Sequence, residues 1–328
     1  MKPLYPLLMT PEFDTRPWGT LDLSPIYPNH HCKEKIGEAW LTADHNKIAN
    51  GPLAGQRLDE ITQKFGRNLV GDAARDPHRF PLLLKFLFPL EKLSVQVHPD
   101  DAAAQRVGEP WGKTECWYFA HTQPGAQVGL GLKAGVTQDQ FAQAIQEKRA
   151  EELLNWVDVH AGDMIYLGAG TVHTLGPGSI LVETQQQSDA TYRLYDYGRP
   201  RELHLELGLA AIKSDAVAGK VAPAPIASGE GARLVLAPHF AVNKYTLSRP
   251  QQFTTGDPGG ASSVQILVAV DGNATVECEG CPSVNFGKGD AVVIPASAML
   301  FRVQPKSHIE FLVSKVPENV MREPATQP

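Results

Sequence analysis

Apolar and polar residues alternate along most of this chain in short runs interrupted by Gly, Pro and Asp, which predicts many strands joined by tight turns. The sharpest alternation is LSVQVHPDD, residues 93–101. Side chains of an extended strand point to opposite faces in turn, so Leu93, Val95 and Val97 share one face while Ser94, Gln96 and His98 share the other. The run FPLLLKFLFPL at 80–90 is apolar on both parities, as expected of a strand covered on both sides. Lys85 lies inside it. A buried, unpaired ammonium costs several kcal/mol, so this lysine either snorkels to an edge or faces a polar cavity holding an anion. The polar row of the following strand favours the cavity. In GKTECWYFA, 112–120, Lys113 and Glu115 share a face opposite Thr114, Cys116 and Tyr118, which reads either as an ion pair or as a metal ligand beside a cation. Helical spacing is confined to two places. LDEITQKFGRNLVG, 58–71, predicts a helix ending near Gly71, and TQDQFAQAIQEKRAEELLNWV, 137–157, predicts a second, with Thr137 and Gln140 at capping-box spacing and a break near Ala150.

A template recurs in the two halves. GDMIYLGAGTVH, from Gly162, and GDAVVIPASAML, from Gly289, each give a Gly-Asp turn, a strand and a small-residue turn, ending on His173 in one and Leu300 in the other. This resembles the second motif of cupins, whose terminal His binds metal at the mouth of a double-sheet jelly roll. The fold expected is mainly β: tandem cupin-like jelly-roll barrels with a small helical segment, about 137–157, inserted in the first. The Ala-, Gly- and Pro-rich stretch 214–229 reads as the boundary, giving a metal-binding catalytic domain at 1–220 and a second cupin-like domain without metal ligands at 230–328. A chain of 328 residues suits two such cores.

Composition then narrows the function. The net charge of −6 gives no reason to expect nucleic acid or an acidic membrane surface. The longest apolar run falls well short of the roughly 20 residues that span a bilayer, and MKPLYPLLMTPEF carries no small-residue cleavage site, so a cytoplasmic protein is expected. Cys32, Cys116, Cys278 and Cys281 are too scattered for a disulfide framework and are expected to be reduced, with ECEGC at 277–281 reading as a hairpin turn. Adjacent His30 and His31 lie in a polar turn without a ligand-spaced partner.

The candidate donors in the first unit are Gln96, His98, Glu115 and His173. Oxygen and imidazole donors without thiolate suit Zn, Mn, Fe or Co, with zinc the first choice. Four protein donors exceed the three usual at a catalytic zinc and would require five- or six-coordination.

The blocks PWG at 17–19, IGEAW at 36–40, FPLLLKFL with LSVQVHPDD at 80–101, GKTECWYF at 112–119, GTVH at 170–173 and ETQQQSDATYRLYDYGR at 183–199 together resemble the type I mannose-6-phosphate isomerases, in their short bacterial form. The resemblance covers residues 17–199 in separate blocks. It implies one zinc per chain on Gln96, His98, Glu115 and His173, with other divalent metals acceptable, and interconversion of mannose 6-phosphate and fructose 6-phosphate by proton transfer through a cis-enediolate. By position it also implies that Arg193 and Lys113 stabilise or relay charge at the reacting carbons, that Glu183 is the proton-transfer base with Asp189 as second candidate, that Ser94 and Lys85 hold the phosphate, and that Trp18 and Glu38 line the rim. The partner implied is a small sugar phosphate, without nucleic acid or membrane, and the chain is expected to be a monomer or weak homo-oligomer. Two other readings compete: a non-catalytic sugar-phosphate sensor, for which Lys113, Glu183 and Arg193 would be superfluous, and an Fe(II) cupin dioxygenase, for which cations around an anion would be.

Overall fold

The computed structural model describes residues 4–226, 230–256, 260–318 and 320–327. Among these the chain is mainly β, with short helices, and forms three sheets. Two belong to the first cupin-like barrel. In the 7-stranded sheet, Glu115–Thr122, Ser179–Gln186, Leu82–Leu87 and Ile36–Trp40 are consecutive neighbours; the 5-stranded sheet runs Tyr192–Tyr195, Val95–Val97, His173–Leu175, Gln127–Leu132, Leu154–Asp158. Between them pack Leu87, Trp117, Phe119 and Leu181 from one sheet and Leu93, Val128, Leu130 and Leu175 from beside or within the other. The 9-stranded third sheet is the second barrel, folded around aromatic residues that include Phe253, Phe286, Phe301 and Phe311.

The two-sided apolar run at 80–90 becomes the strand Leu82–Leu87, buried at every position. Leu82, Leu84 and Phe86 enter a core that also holds Val242, Ile266, Val293 and Leu312 of the second barrel, so one hydrophobic cluster spans both units. Lys85 points the other way, into the first barrel, at 1% exposure. Residues 7 and 8 likewise cross over: Leu7 pairs with Val293 and Leu8 with Val292.

The repeated Gly-Asp turn is the same device in both barrels. Gly162 and Gly289 take φ values of +93° and +89°, open to glycine at little steric cost. The following Asp163 and Asp290 accept from the amides three residues back, His160 at 2.9 Å and Gly287 at 2.8 Å. Each turn launches a strand, Met164–Leu167 or Ala291–Ile294.

Both helical expectations need correction. The segment 58–71 is two helices, Leu58–Phe65 and Arg67–Val70, because Gly66 between them sits at φ +50°. Of 137–157 only Gln138–Gln146 is α-helical, with the Thr137–Gln140 capping box formed; Ala150–Leu153 is a single 3₁₀ turn. Leu154–Asp158 is a strand paired with Gln127–Leu132, its Leu154 fully buried, so sheet pairing overrides the helical spacing. In the boundary stretch, Ala218–Lys220 still pairs with the first barrel and Ala224–Pro225 with the second, while residues 227–229 lie outside the described residues. The four cysteines are free, and the amide of Cys281 donates to the Cys278 carbonyl in a turn between paired strands. Among the described residues no helix is long and apolar enough to cross a membrane.

Phe86 is fully buried and meets Tyr27 and Phe88 ring to ring. Phe86→Ala is expected to cost about 3–5 kcal/mol in urea denaturation; a loss below about 1 kcal/mol would mean that the site collapses around the missing ring.

Candidate metal centre and active cleft

Strand register builds the site. In the 5-stranded sheet Arg193, Gln96 and His173 stand opposite one another on adjacent strands, and directly opposed residues share a face. In the 7-stranded sheet Trp40, Lys85, Glu183 and Trp117 form the corresponding row. His98 lies two residues beyond Gln96 and Glu115 two before Trp117, so both stay on the same inward faces. The two polar rows close on a cleft of about 200 Å³ that Trp18, Ser94, Lys113 and Asp189 also line.

At its base His98, Glu115 and His173 bring one ligand atom each to within 4.8 Å of one another, all buried. His98 Nδ1 is 2.9 Å from the Ala190 carbonyl and His173 Nδ1 is 2.8 Å from the Thr171 carbonyl. A carbonyl only accepts, so each Nδ1 carries the proton and each Nε2 is left bare. Burial, reinforced by Lys113, pushes His98 down; burial, reinforced by His98, takes His173 down to about 3. Both rings are therefore neutral. Their Nε2 atoms each stand 3.4 Å from a Glu115 oxygen, and neither oxygen of this fully buried carboxylate receives a hydrogen bond among the described residues. Burial would raise Glu115, but the Lys113 ammonium leads the interactions that hold the carboxyl well below its usual range.

Lone pairs from three acceptors thus converge on one point, and the oxygen–imidazole set fits a divalent metal. The two Nδ1–carbonyl bonds fix the rings with Nε2 inward, as metal-ligating histidines require. Gln96 adjoins the centre, with Nε2 3.2 Å from His173 Nε2 and Oε1 accepting from Ser94 Oγ at 3.1 Å. Turning this amide over would present Oε1 to the same point.

Above the centre stand interleaved charges. Lys113 Nζ lies 3.1 Å from Glu115, 3.3 Å from His98 Nε2 and 3.8 Å from Glu183. Lys85 Nζ lies 3.2 Å from Asp189, 3.7 Å from Glu183 and 4.3 Å from the centre of the Trp40 ring. Burial alone would lower both lysines; the surrounding carboxylates reverse this and raise them. Glu183 is 4% exposed and accepts from Trp117 Nε1 at 3.0 Å. Burial first and Glu115 second raise it to about 7, against the pull of Lys113 and Lys85. Asp189 keeps 53% of its side chain exposed, and Lys85 and Lys113 lower it against the desolvation of its site. Glu38 accepts from Arg16 and from Trp40 Nε1, each at 2.8 Å. Arg193 donates to the Glu202 carbonyl at 2.8 Å, while its Nε is buried without a hydrogen-bond partner among the described residues.

All twelve residues singled out in the sequence lie at this cleft or at the cluster beneath it. Arg16, Thr191 and Arg201 line it as well. Arg16 had a signal, since it shares strand parity with Trp18. Arg201 had none: it and Arg199, two residues earlier, both pair with Asp196, and only the fold brings Arg201 to the cleft wall.

Comparison with known proteins places this geometry in context. The catalytic domain of type I phosphomannose isomerase matches residues 14–111. The mannose-6-phosphate isomerase ManA of Bacillus subtilis is 33% identical over 326 residues, 94% of this chain and 98% of its own. A crystal structure of the mannose 6-phosphate isomerase from Bacillus subtilis superposes with a TM-score of 0.84 at 30% identity, covering 95% of this chain and 99% of its own. A zinc-bound mannose 6-phosphate isomerase, 16% identical, shares the fold with a TM-score of 0.73 over 94% of this chain and 98% of its own.

His173→Ala removes one inward-facing nitrogen together with a ring that packs edge-on against Trp117. Zinc affinity, measured by chelator competition, is expected to fall by at least about 100-fold with an unchanged far-UV circular dichroism spectrum. Parental affinity in that variant would exclude His173 as a ligand.

Proposed function

The chain belongs to the type I phosphomannose isomerase family, and from that membership we propose that it interconverts mannose 6-phosphate and fructose 6-phosphate through a cis-enediolate. The observation that carries this reading is the adjacency, in one cleft, of a buried His98–Glu115–His173 cluster and a carboxyl raised to about 7, Glu183. The chemistry is assigned to the first unit, residues 1–220, with residues 230–328 as its cover. All residues lining the cleft, from Arg16 to Arg201, support that division.

Zinc is the metal proposed, held by His98, Glu115 and His173 with Gln96 as fourth donor. When bound it supplies Lewis-acid stabilisation to the sugar oxygens, worth several kcal/mol. Five cations line the cleft, Arg16, Lys85, Lys113, Arg193 and Arg201, against the carboxylates Glu38, Glu183 and Asp189. Glu115 pairs with Lys113, Asp196 with Arg201 and Asp14 with Arg16, so the attraction for a phosphorylated sugar is local to these cations and does not rest on a net positive charge. Ser94 and Lys85 hold the phosphate, and Trp18 and Glu38 shape the rim.

Glu183 moves the proton between C2 and C1. Its value near 7 leaves it able both to take a proton and to return one at neutral pH, and such a positioned group contributes about 10²–10⁴ in rate. Trp117 fixes its Oε2, leaving Oε1 between the two lysines. Lys113 and Arg193 offset the negative charge that develops on the oxygens of the enediolate. Asp189 is the alternative base, but the lysines that lower it make it the weaker proton acceptor. A sensor would not need this acid–base set. Four free cysteines are in keeping with a reducing cytoplasmic location.

Fructose 6-phosphate formation from mannose 6-phosphate, followed in a coupled assay, is expected to disappear on chelation and return with added zinc. Tight substrate binding without product would leave only the sensor.

A base must be ionised, so activity is lost as pH falls through the Glu183 value. The rate profile is expected to rise with pH toward a plateau, with its midpoint at or below about 7, because a divalent ion held by Glu115 would offset the charge that helps raise Glu183. Glu183→Gln should lower kcat by about 10²–10⁴ and abolish this limb while retaining zinc. A limb that survives unchanged in Glu183→Gln would exclude Glu183 as the base.

A further inference from the structure

Two of the proposed ligands end the same loop. It leaves the strand Val95–Val97 at His98, passes through the helix Asp101–Arg106, and re-enters the sheet at Glu115. How it closes therefore sets the spacing of His98 and Glu115 and the origin of the Lys113 side chain. The amide of Lys113 donates to the Pro99 carbonyl at 3.0 Å. Gly112 lies so near the opposite limb that a Cβ there would come within 2.4 Å of the Asp100 carbonyl carbon.

The remaining bonds are made by two side chains outside the cleft. Gln186, 4% exposed, accepts from the Thr114 amide through Oε1 and donates to Asp101 Oδ1 through Nε2, both at 2.9 Å. The same Asp101 oxygen accepts from the Gly112 amide at 2.9 Å, and its other oxygen pairs with Arg75. Backbone of Gln186 also donates to the Thr114 carbonyl at 3.2 Å. The residues on either side of Lys113 are thus gripped by one glutamine and one aspartate. Lys113 itself is a flexible four-carbon stem whose ammonium must stay between Glu115, His98 and Glu183.

We infer that Gln186 and Asp101 are positioning residues, a clamp that aims Lys113 and fixes the distance between His98 and Glu115. The inference rests on the proposed isomerase site, whose residues the clamp serves without touching the cleft. The second unit closes over it: Pro238, His239, Val316 and Pro317 share a small cavity of about 80 Å³ with Gln186 and Arg75.

Gln186→Glu keeps the acceptor for Thr114 but sets two carboxylates against each other. The double variant Gln186→Glu with Asp101→Asn relieves that repulsion and restores the side-chain bond with donor and acceptor exchanged, but the asparagine amino group no longer accepts from the Gly112 amide, so it rebuilds only part of the clamp. For Gln186→Glu we expect zinc affinity of the metal-free protein and kcat of the zinc-loaded protein each to fall about 10- to 100-fold, with KM for mannose 6-phosphate changed less than about threefold. The double variant should regain part of the lost kcat, at least about threefold. Parental zinc affinity and kcat in Gln186→Glu, a loss confined to KM, or a double variant no better than Gln186→Glu would overturn the clamp. Should Gln186→Glu fail to fold, Asp101→Asn, at a partly exposed position, must show the same two losses to a smaller degree or the inference falls. If the parental protein makes no fructose 6-phosphate, the isomerase reading fails, while zinc titration still tests the clamp.

Discussion

The burial of Glu115 is the constraint on which the remainder of the site depends. A carboxylate with no solvent exposure and, among the described residues, no hydrogen bond to either oxygen is tolerable only if positive charge stands close by. Lys113 provides it from one side, and the two imidazoles leave a lone-pair-lined point on the other where a divalent ion fits. That single negative charge also reaches Glu183, where it adds to burial in raising the carboxyl toward neutrality. In the proposed mechanism, affinity for the metal and poise of the proton-transfer group would therefore both depend on the same residue. Exchanging it would alter both at once.

Parity made much of the site legible in advance. A strand that alternates Val with Ser, Gln and His announces a polar inner face, and a lysine within a two-sided apolar run demands an anion. Both arguments use only the period of a strand, and the geometry of Lys85, Ser94, Gln96 and His98 agrees with them. What parity does not carry is partnership across strands. That Glu183 stands between Lys85 and Trp117 follows from register, which depends on turns and bulges distributed over the whole barrel. The family resemblance named Glu183, but the alternation of its own strand did not.

The helical segments were misjudged for local reasons. Gly66 interrupts a stretch whose apolar spacing continues across it, since a positive φ is invisible to hydrophobic periodicity. Leu154, Trp156 and their neighbours satisfy a helical template only until a partner strand exists; pairing with Gln127–Leu132 then outweighs intrinsic preference. Loop closure by Gln186 was likewise hidden. A glutamine in a run of three, QQQ at 185–187, reads as generic polarity, and only the fold brings its amide to the Thr114 backbone.

The crossover of residues 7 and 8 into the far sheet has a bearing on biosynthesis. Their pairing partners, Val292 and Val293, are translated near the opposite end of the sequence, and the shared core needs Leu312 as well. While a ribosome is still elongating through the second barrel, Leu84 and Phe86 have no complete surface to pack against. The leading barrel therefore reaches its final packing only after most of the polypeptide has emerged, and until then its apolar flank is a surface that holdase chaperones can bind.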